Sequence, residues 1–293
     1  FNIQLAIHFS ETILRLINKI EKDKNMMRSF QTITKRLPRH FARSLSAVPL
    51  RPTLPLEFKT LIELHNEATK AYTTNPMFGT YVDGGFEWIN YSEFDVEVAK
   101  CRIVLNEHNI SKEDKVALIS NNRLEWATIK YATVGLGGQI VPMYEAQLEK
   151  DWDYILEDSD AKLLVVATEA IYEKVKSYPG KIGKVEHVLC LDADKDKPYS
   201  FKRWMSEAVT KAAVPARTDI TENDLCTIIY TSGTTGKPKG VELSHRNIVQ
   251  DLRGANDLYI KYDNMIELGP QVSLAFLPWA HVFGMTCELH ELS

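Results

Sequence analysis

The residues of this chain best suited to chemistry lie in one run, Tyr230-Thr231-Ser232-Gly233-Thr234-Thr235-Gly236-Lys237-Pro238-Lys239-Gly240. Its glycines let a backbone turn sharply and approach a ligand closely. Successive exposed N–H groups in such a loop form an anion-binding concavity. Thr231, Ser232, Thr234 and Thr235 each add a hydroxyl donor, and Lys237 and Lys239 add positive charge. Hydrogen bonds to a charged partner contribute roughly 1.5–3 kcal/mol each, so several together suit a triphosphate or a departing pyrophosphate. The run is not a P-loop. That pattern needs a glycine five residues before the Gly-Lys pair and a Ser or Thr after it; here those places hold Thr231 and Pro238. Gly/Thr/Ser clusters are commonly solvated turns. This one is ordered differently, standing between an apolar strand-like run and a helical pattern.

A second candidate is Leu277-Pro278-Trp279-Ala280-His281-Val282-Phe283-Gly284. A strand ending in proline places the next turn at a sheet edge, where α/β proteins open their ligand crevices. His281 can donate to a carboxylate or phosphate oxygen. The competing reading is a hydrogen-bonded core histidine. Val282, Phe283, Gly284 and Met285 are candidates to line an apolar pocket.

The run 230–240 resembles the signature of the adenylate-forming (AMP-binding) superfamily, which includes acyl-CoA synthetases, and it continues into Val241-Glu242-Leu243-Ser244-His245-Arg246-Asn247, similar to that family's continuation. The segment at His281 resembles the family's Leu-Pro-x-x-His. Weaker likeness covers Trp88-Ile89-Asn90-Tyr91-Ser92-Glu93-Phe94, the stretch 115–126 with Asn121, Asn122, Glu125 and Trp126, and the stretch 138–144. These are read as scaffold, and their form is most similar to the long-chain fatty acyl-CoA synthetase branch. The resemblance implies ATP-phosphate binding by Thr231, Ser232, Gly233, Thr234, Thr235, Gly236, Lys237 and Lys239. It implies a catalytic-site role for His281 near the reacting carboxylate, and Mg²⁺ with Thr231 as one ligand. The reaction implied is ATP-dependent conversion of a carboxylic acid, a long-chain fatty acid, to an acyl-adenylate and then a coenzyme A thioester. Ligases for short or aromatic acids and a non-catalytic nucleotide-binding relative are the alternatives. The family's adenine-binding motifs, metal glutamate and C-terminal lysine are expected after Ser293, so the 293-residue chain alone is expected to be inactive.

The elements that must position these residues alternate in type. Apolar strand-like runs fall at 78–82, 87–90, 115–119, 139–143, 162–167, 185–191, 225–230 and 272–277. Helical periodicity falls at 57–72, 92–108, 123–134, 148–158, 171–177, 201–212 and 245–258. Ser92 is the expected cap of the second helix, with Asp95 completing the box. Alternation of this kind predicts an α/β fold, largely parallel sheet with flanking helices, an incomplete form of the large N-terminal adenylation domain.

Composition narrows the partners. Net charge is −4, which offers no global attraction to nucleic acid or an anionic membrane. The four cysteines, at 101, 190, 226 and 287, form no C-x-x-C pair and read as reduced, mostly buried thiols. No uninterrupted apolar run reaches membrane-spanning length. The first methionines are Met26 and Met27, so residues 1–25 read as an upstream or non-native segment, with an amphipathic pattern that allows peripheral membrane contact. Residues 26–56 carry Arg28, Lys35, Arg36, Arg39, Arg43 and Arg51 and no acid. That is the composition of a mitochondrial or plastid transit peptide, the alternative being a basic tail on a cytoplasmic or membrane-peripheral protein. Residues 57–293 read as the partial AMP-binding domain.

Overall fold

Thr60 starts the first helix. Its hydroxyl accepts the N–H of Glu63 at 3.1 Å, so α1 (Leu61–Tyr72) begins with one of its orphan donors satisfied. The helix buries Leu61, Leu64, His65, Ala68 and Tyr72 along one stripe. This computed structural model describes residues 57–231, 237–261 and 273–290. The readings made for 1–56 therefore lie outside the described residues.

A two-residue turn, Asp83-Gly84, joins β1 (Pro76–Val82) to β2 (Gly85–Asn90) in an antiparallel hairpin. The helix that follows, α2 (Tyr91–Glu107), is capped by Asn90 and not by Ser92 as the sequence suggests. Asn90 Oδ1 accepts the Glu93 N–H at 2.8 Å, and the Glu93 carboxylate accepts the Asn90 N–H at 2.9 Å. A capping box needs the longer Glu or Gln arm at its third helical position, which Asp95 lacks. Asp95 instead meets His65 at 2.9 Å.

From there strands and helices alternate: β3 (Lys115–Ile119), α3 (Leu124–Gly135), β4 (Gln139–Met143), α4 (Glu149–Ser159), β5 (Leu163–Val166), α5 (Glu169–Val175), β6 (His187–Cys190), α6 (Phe201–Ala208) and β7 (Leu225–Thr231). Then come β8 (Lys239–Ser244), α7 (His245–Lys261) and α8 (Val282–His290). The six-stranded sheet runs β6-β5-β3-β4-β7-β8. All its pairs are parallel except β7 with β8.

Side chains alternate between the two faces of the sheet, and each face has its own cover. Val116, Leu118, Ile140, Leu163 and Cys226 join the cluster built with α1, α2, α3, α7 and α8. Ala117, Ile119, Val141, Leu164 and Ile228 face α4 and α5. In α3 every residue from Trp126 to Gly135 is buried, which is why its pattern lacks a polar face. Cys101, Cys190 and Cys226 are buried, unbridged thiols and Cys287 is half-buried. Among the described residues no helix is long and apolar enough to cross a membrane.

Two further expectations are corrected. No helix directly follows the glycine-rich stretch: β8 intervenes before α7 and pairs antiparallel with β7, Lys239 opposite Thr231. The run expected as a strand at 272–277 forms none over 273–277, and Val272 lies outside the described residues. Its carbonyls are bonded to a side chain, as described below.

Candidate active site

β7 enters the sheet buried from Cys226 to Ile229 and emerges at Tyr230, leaving Thr231 exposed. The buried Thr227 hydroxyl donates to Ile140 O at 2.9 Å and fixes the strand against β4. β8 returns alongside, so Thr231, Lys237 and Lys239 all belong to one hairpin end, and all three are exposed. Ser232, Gly233, Thr234, Thr235 and Gly236 lie outside the described residues. The Tyr230 hydroxyl donates to Asp158 Oδ2 at 2.7 Å. Burial and this carboxylate both push its pKa well up.

His281 stands on a different scaffold. Asn122, just past the end of β3, donates to Ala275 O at 2.8 Å and Leu277 O at 2.7 Å, and accepts the Trp279 N–H at 2.8 Å. Trp279 packs against Trp126 at 5.4 Å between ring centres and against Phe78 at 6.0 Å. The turn closes with the His281 N–H donating to Pro278 O at 3.0 Å. His281 is exposed, and its Nδ1 accepts the Phe283 N–H at 3.2 Å. That bond assigns the proton of the neutral ring to Nε2, which is left able to donate.

The sheet register relates the two scaffolds. Val116 pairs with Ile140, and Ile140 with Thr227. Counting forward four residues sets Thr231 level with Ser120, two strands away, a separation of about 10 Å. Asn122 lies two residues beyond Ser120. The hairpin end and the His281 turn thus share the C-terminal edge of the sheet. The chain passes from β3 over one face to β4 and then over the other face to β5, on the far side of β3. Asn122 therefore sits at the switch point where α/β proteins bind ligands.

A family model described as AMP-binding enzyme matches residues 67–291. The chain belongs to that family. Long-chain-fatty-acid–CoA ligase FadD15 of Mycobacterium bovis is 28% identical over 209 residues, covering 71% of this chain and 34% of that protein. Fatty acyl-CoA synthetase B of Dictyostelium discoideum is 27% identical over 246 residues, covering 77% and 35%. The AMP-binding chain thus spans about a third of the length of these curated relatives. The inhibitor-bound N-terminal domain of FACL13 from Mycobacterium tuberculosis superposes with a TM-score of 0.62 at 20% identity, over 80% of this chain and 55% of that one. It shares the fold.

Several features of this AMP-binding domain were not legible as site residues. Asn122 reads as scaffold in the sequence, yet its side chain makes three hydrogen bonds to the segment before His281. Asp158 and Tyr154 on α4 carry no motif at all. Gly284 and Met285, expected as pocket lining, are buried at the start of α8. A Cβ on Gly284 would lie 2.2 Å from Pro278 O, so only glycine lets the helix approach its own turn this closely. Two cavities of about 250 Å³ lie away from these residues, one at the N-terminal ends of β3 and β5 among Lys115, Lys162 and Lys184, the other beside β6. For Mg²⁺, the Thr231 hydroxyl is exposed, and no cluster of three or more acidic, His or Cys ligands occurs among the described residues. The exposed hydroxyl and two ammonium groups fit a polyphosphate; they do not by themselves make a metal site.

Proposed function

We propose that the protein carrying this chain activates a long-chain fatty acid with ATP and passes the acyl group to coenzyme A. The observation that supports the reading is that the hairpin bearing Thr231, Lys237 and Lys239 and the turn bearing His281 lie on the same, C-terminal edge of the sheet. A carboxylate is a poor electrophile because its charge repels nucleophiles. Attack of its oxygen on the α-phosphorus of ATP forms the acyl-adenylate, and the bond to the β-phosphate breaks to release pyrophosphate. The thiol of coenzyme A then adds to the activated carbonyl, the bond to AMP breaks, and the thiol proton passes to solvent. In this scheme Lys237 and Lys239 offset charge growing on the pyrophosphate, and the Thr231 hydroxyl donates to a phosphate oxygen. Nε2–H of His281 donates to the acid or to the phosphate being transferred. Mg²⁺, when bound, would screen the same phosphate charge. The long-chain preference rests on the relatives' names and on the motif likeness.

ATP–pyrophosphate exchange by the full-length protein, run across acids from acetate to stearate and with benzoate, tests this. Exchange is expected with palmitate-length acids and is expected to fall by about tenfold to a hundredfold in Lys239→Ala, the loss of one charge-assisted contact. Exchange with only a short or aromatic acid overturns the long-chain assignment; no exchange with any acid overturns the ligase reading. We further propose that residues 26–56 direct the protein to a mitochondrion or plastid. A reporter fused to them should concentrate in that organelle, and a diffuse cytosolic signal would reject the proposal.

A further inference from the structure

We infer that Tyr154 and Asp158, one turn apart on α4, are positioning residues that tie both ends of the phosphate-binding segment to one helix. The inference rests on the reading of Lys237 as a phosphate ligand. On the incoming side, the Tyr230 hydroxyl donates to Asp158 Oδ2 at 2.7 Å. On the outgoing side, Lys237 Nζ lies 5.4 Å from the centre of the Tyr154 ring. The Tyr154 hydroxyl reaches the other oxygen of Asp158 at a long 3.5 Å. Two side chains spaced i, i+4 share a helix face, and here that face is turned to the hairpin.

The placement has structural support. Gly240 pairs with Tyr230 across the hairpin, and a Cβ there would come within 3.0 Å of the Tyr230 ring. Glycine at this place lets the ring lie across β8 and reach α4. The core of α4 is supplied by Trp152, Ile155, Leu156 and Ser159. Tyr154 packs half-buried at the margin of this core and Asp158 is exposed, so their contacts with the hairpin come in addition to that packing. An aromatic face holds an ammonium group without cancelling its charge. A lysine held this way keeps its charge for an incoming phosphate and loses less freedom on binding it.

The test is made in the full-length protein by measuring KM for ATP, KM for the acid, kcat and the melting temperature. Tyr154→Leu is expected to raise KM for ATP about two- to fivefold, the equivalent of one exposed cation–π contact, with kcat and the acid KM unchanged. Tyr154→Phe keeps the ring and should restore the wild-type KM. Asp158→Asn and Tyr230→Phe should each raise KM for ATP, and the double variant should go no further than the worse single. Lys237→Ala serves as the reference. If it raises KM for ATP while Tyr154→Leu and Asp158→Asn do not, the inference fails and the proposed phosphate role of Lys237 stands. If Lys237→Ala itself leaves KM for ATP unchanged, that role fails and takes the inference with it. Loss of stability without a change in KM would mark a merely structural pair and also reject the inference.

Discussion

His245 is a buried histidine whose protonation bears on the fold. It is 1% exposed, and its Nδ1 accepts the backbone N–H of Leu61 at 3.1 Å, joining the start of α7 to the start of α1. Only the neutral ring can accept there. Burial, set against the weaker pull of Asp224, brings its pKa from 6.5 down to about 4. The folded state therefore takes up a proton at lower pH than the unfolded chain. Above pH 6.5 the ring is neutral in both states and the contact stabilises fully. As pH falls from 6.5 toward 4 the unfolded chain binds a proton that the folded one refuses, and stability drops by up to about 1.4 kcal/mol per pH unit. Burial lowers His108 too, with the same sign, so the variant must be compared with wild type. Urea midpoints taken between pH 7.5 and 4.5 should show a shallower acid slope in His245→Asn, at the cost of some stability at pH 7.5. Parallel slopes for the two proteins would count against this role for His245.

Among the elements, the segment before α8 depends on Asn122 more than on any strand partner. Three hydrogen bonds run from this one side chain to residues 275–279. Asn122→Ala removes all three and should destabilise by about 2–3 kcal/mol, at about 1 kcal/mol each. It should also loosen the packing of Trp279 on Trp126, visible as a loss of near-ultraviolet ellipticity. A melting temperature within a degree of wild type would show that the turn holds itself. At the other helix start, Asn90→Ala breaks the capping box of α2 and should cost about 1 kcal/mol, read as a lower urea midpoint with an unchanged m-value. Ser92→Ala should cost less, because Ser92 only donates to Asn90.

At the scale of the whole molecule, Lys130 on α3 and Glu288 on α8 form a buried charge pair that joins two distant parts of the chain. The side chains are 0% and 3% exposed. Lys130 Nζ also lies 4.3 Å from the centre of the Tyr131 ring. Burial pulls Lys130 below the usual lysine range and pushes Glu288 above the usual carboxylate range, while their mutual attraction opposes both shifts. Removing one partner strands the other charge in the core. Lys130→Met is expected to cost about 3–5 kcal/mol, whereas Lys130→Met with Glu288→Leu should recover most of it. Chemical denaturation of both variants decides the matter; a double variant no more stable than the single would mean that the pair contributes more than it costs to bury.

Local chemistry was readable without the fold. The strands at 115–119 and 139–143 were bounded correctly from their apolar runs, because both are central strands with side chains buried on each face. The hydroxyl and lysine content of 231–239 suggests an anion site from side-chain chemistry alone, and the structure adds that Thr231, Lys237 and Lys239 are exposed. What the sequence could not reveal was pairing. Lys239-Gly240-Val241-Glu242-Leu243-Ser244 is not among the strand-like runs and becomes a strand because β7 offers it backbone partners at the sheet edge. Residues 273–277 read as a strand, yet Asn122 bonds carbonyls that a ladder would need. Asn122 and Trp279 lie 157 positions apart, and no periodicity within either segment encodes their meeting. Backbone preference and side-chain chemistry act over a few residues and are written in sequence. Which edges meet depends on how the sheet orders its strands, and that was settled only when both faces found their cover.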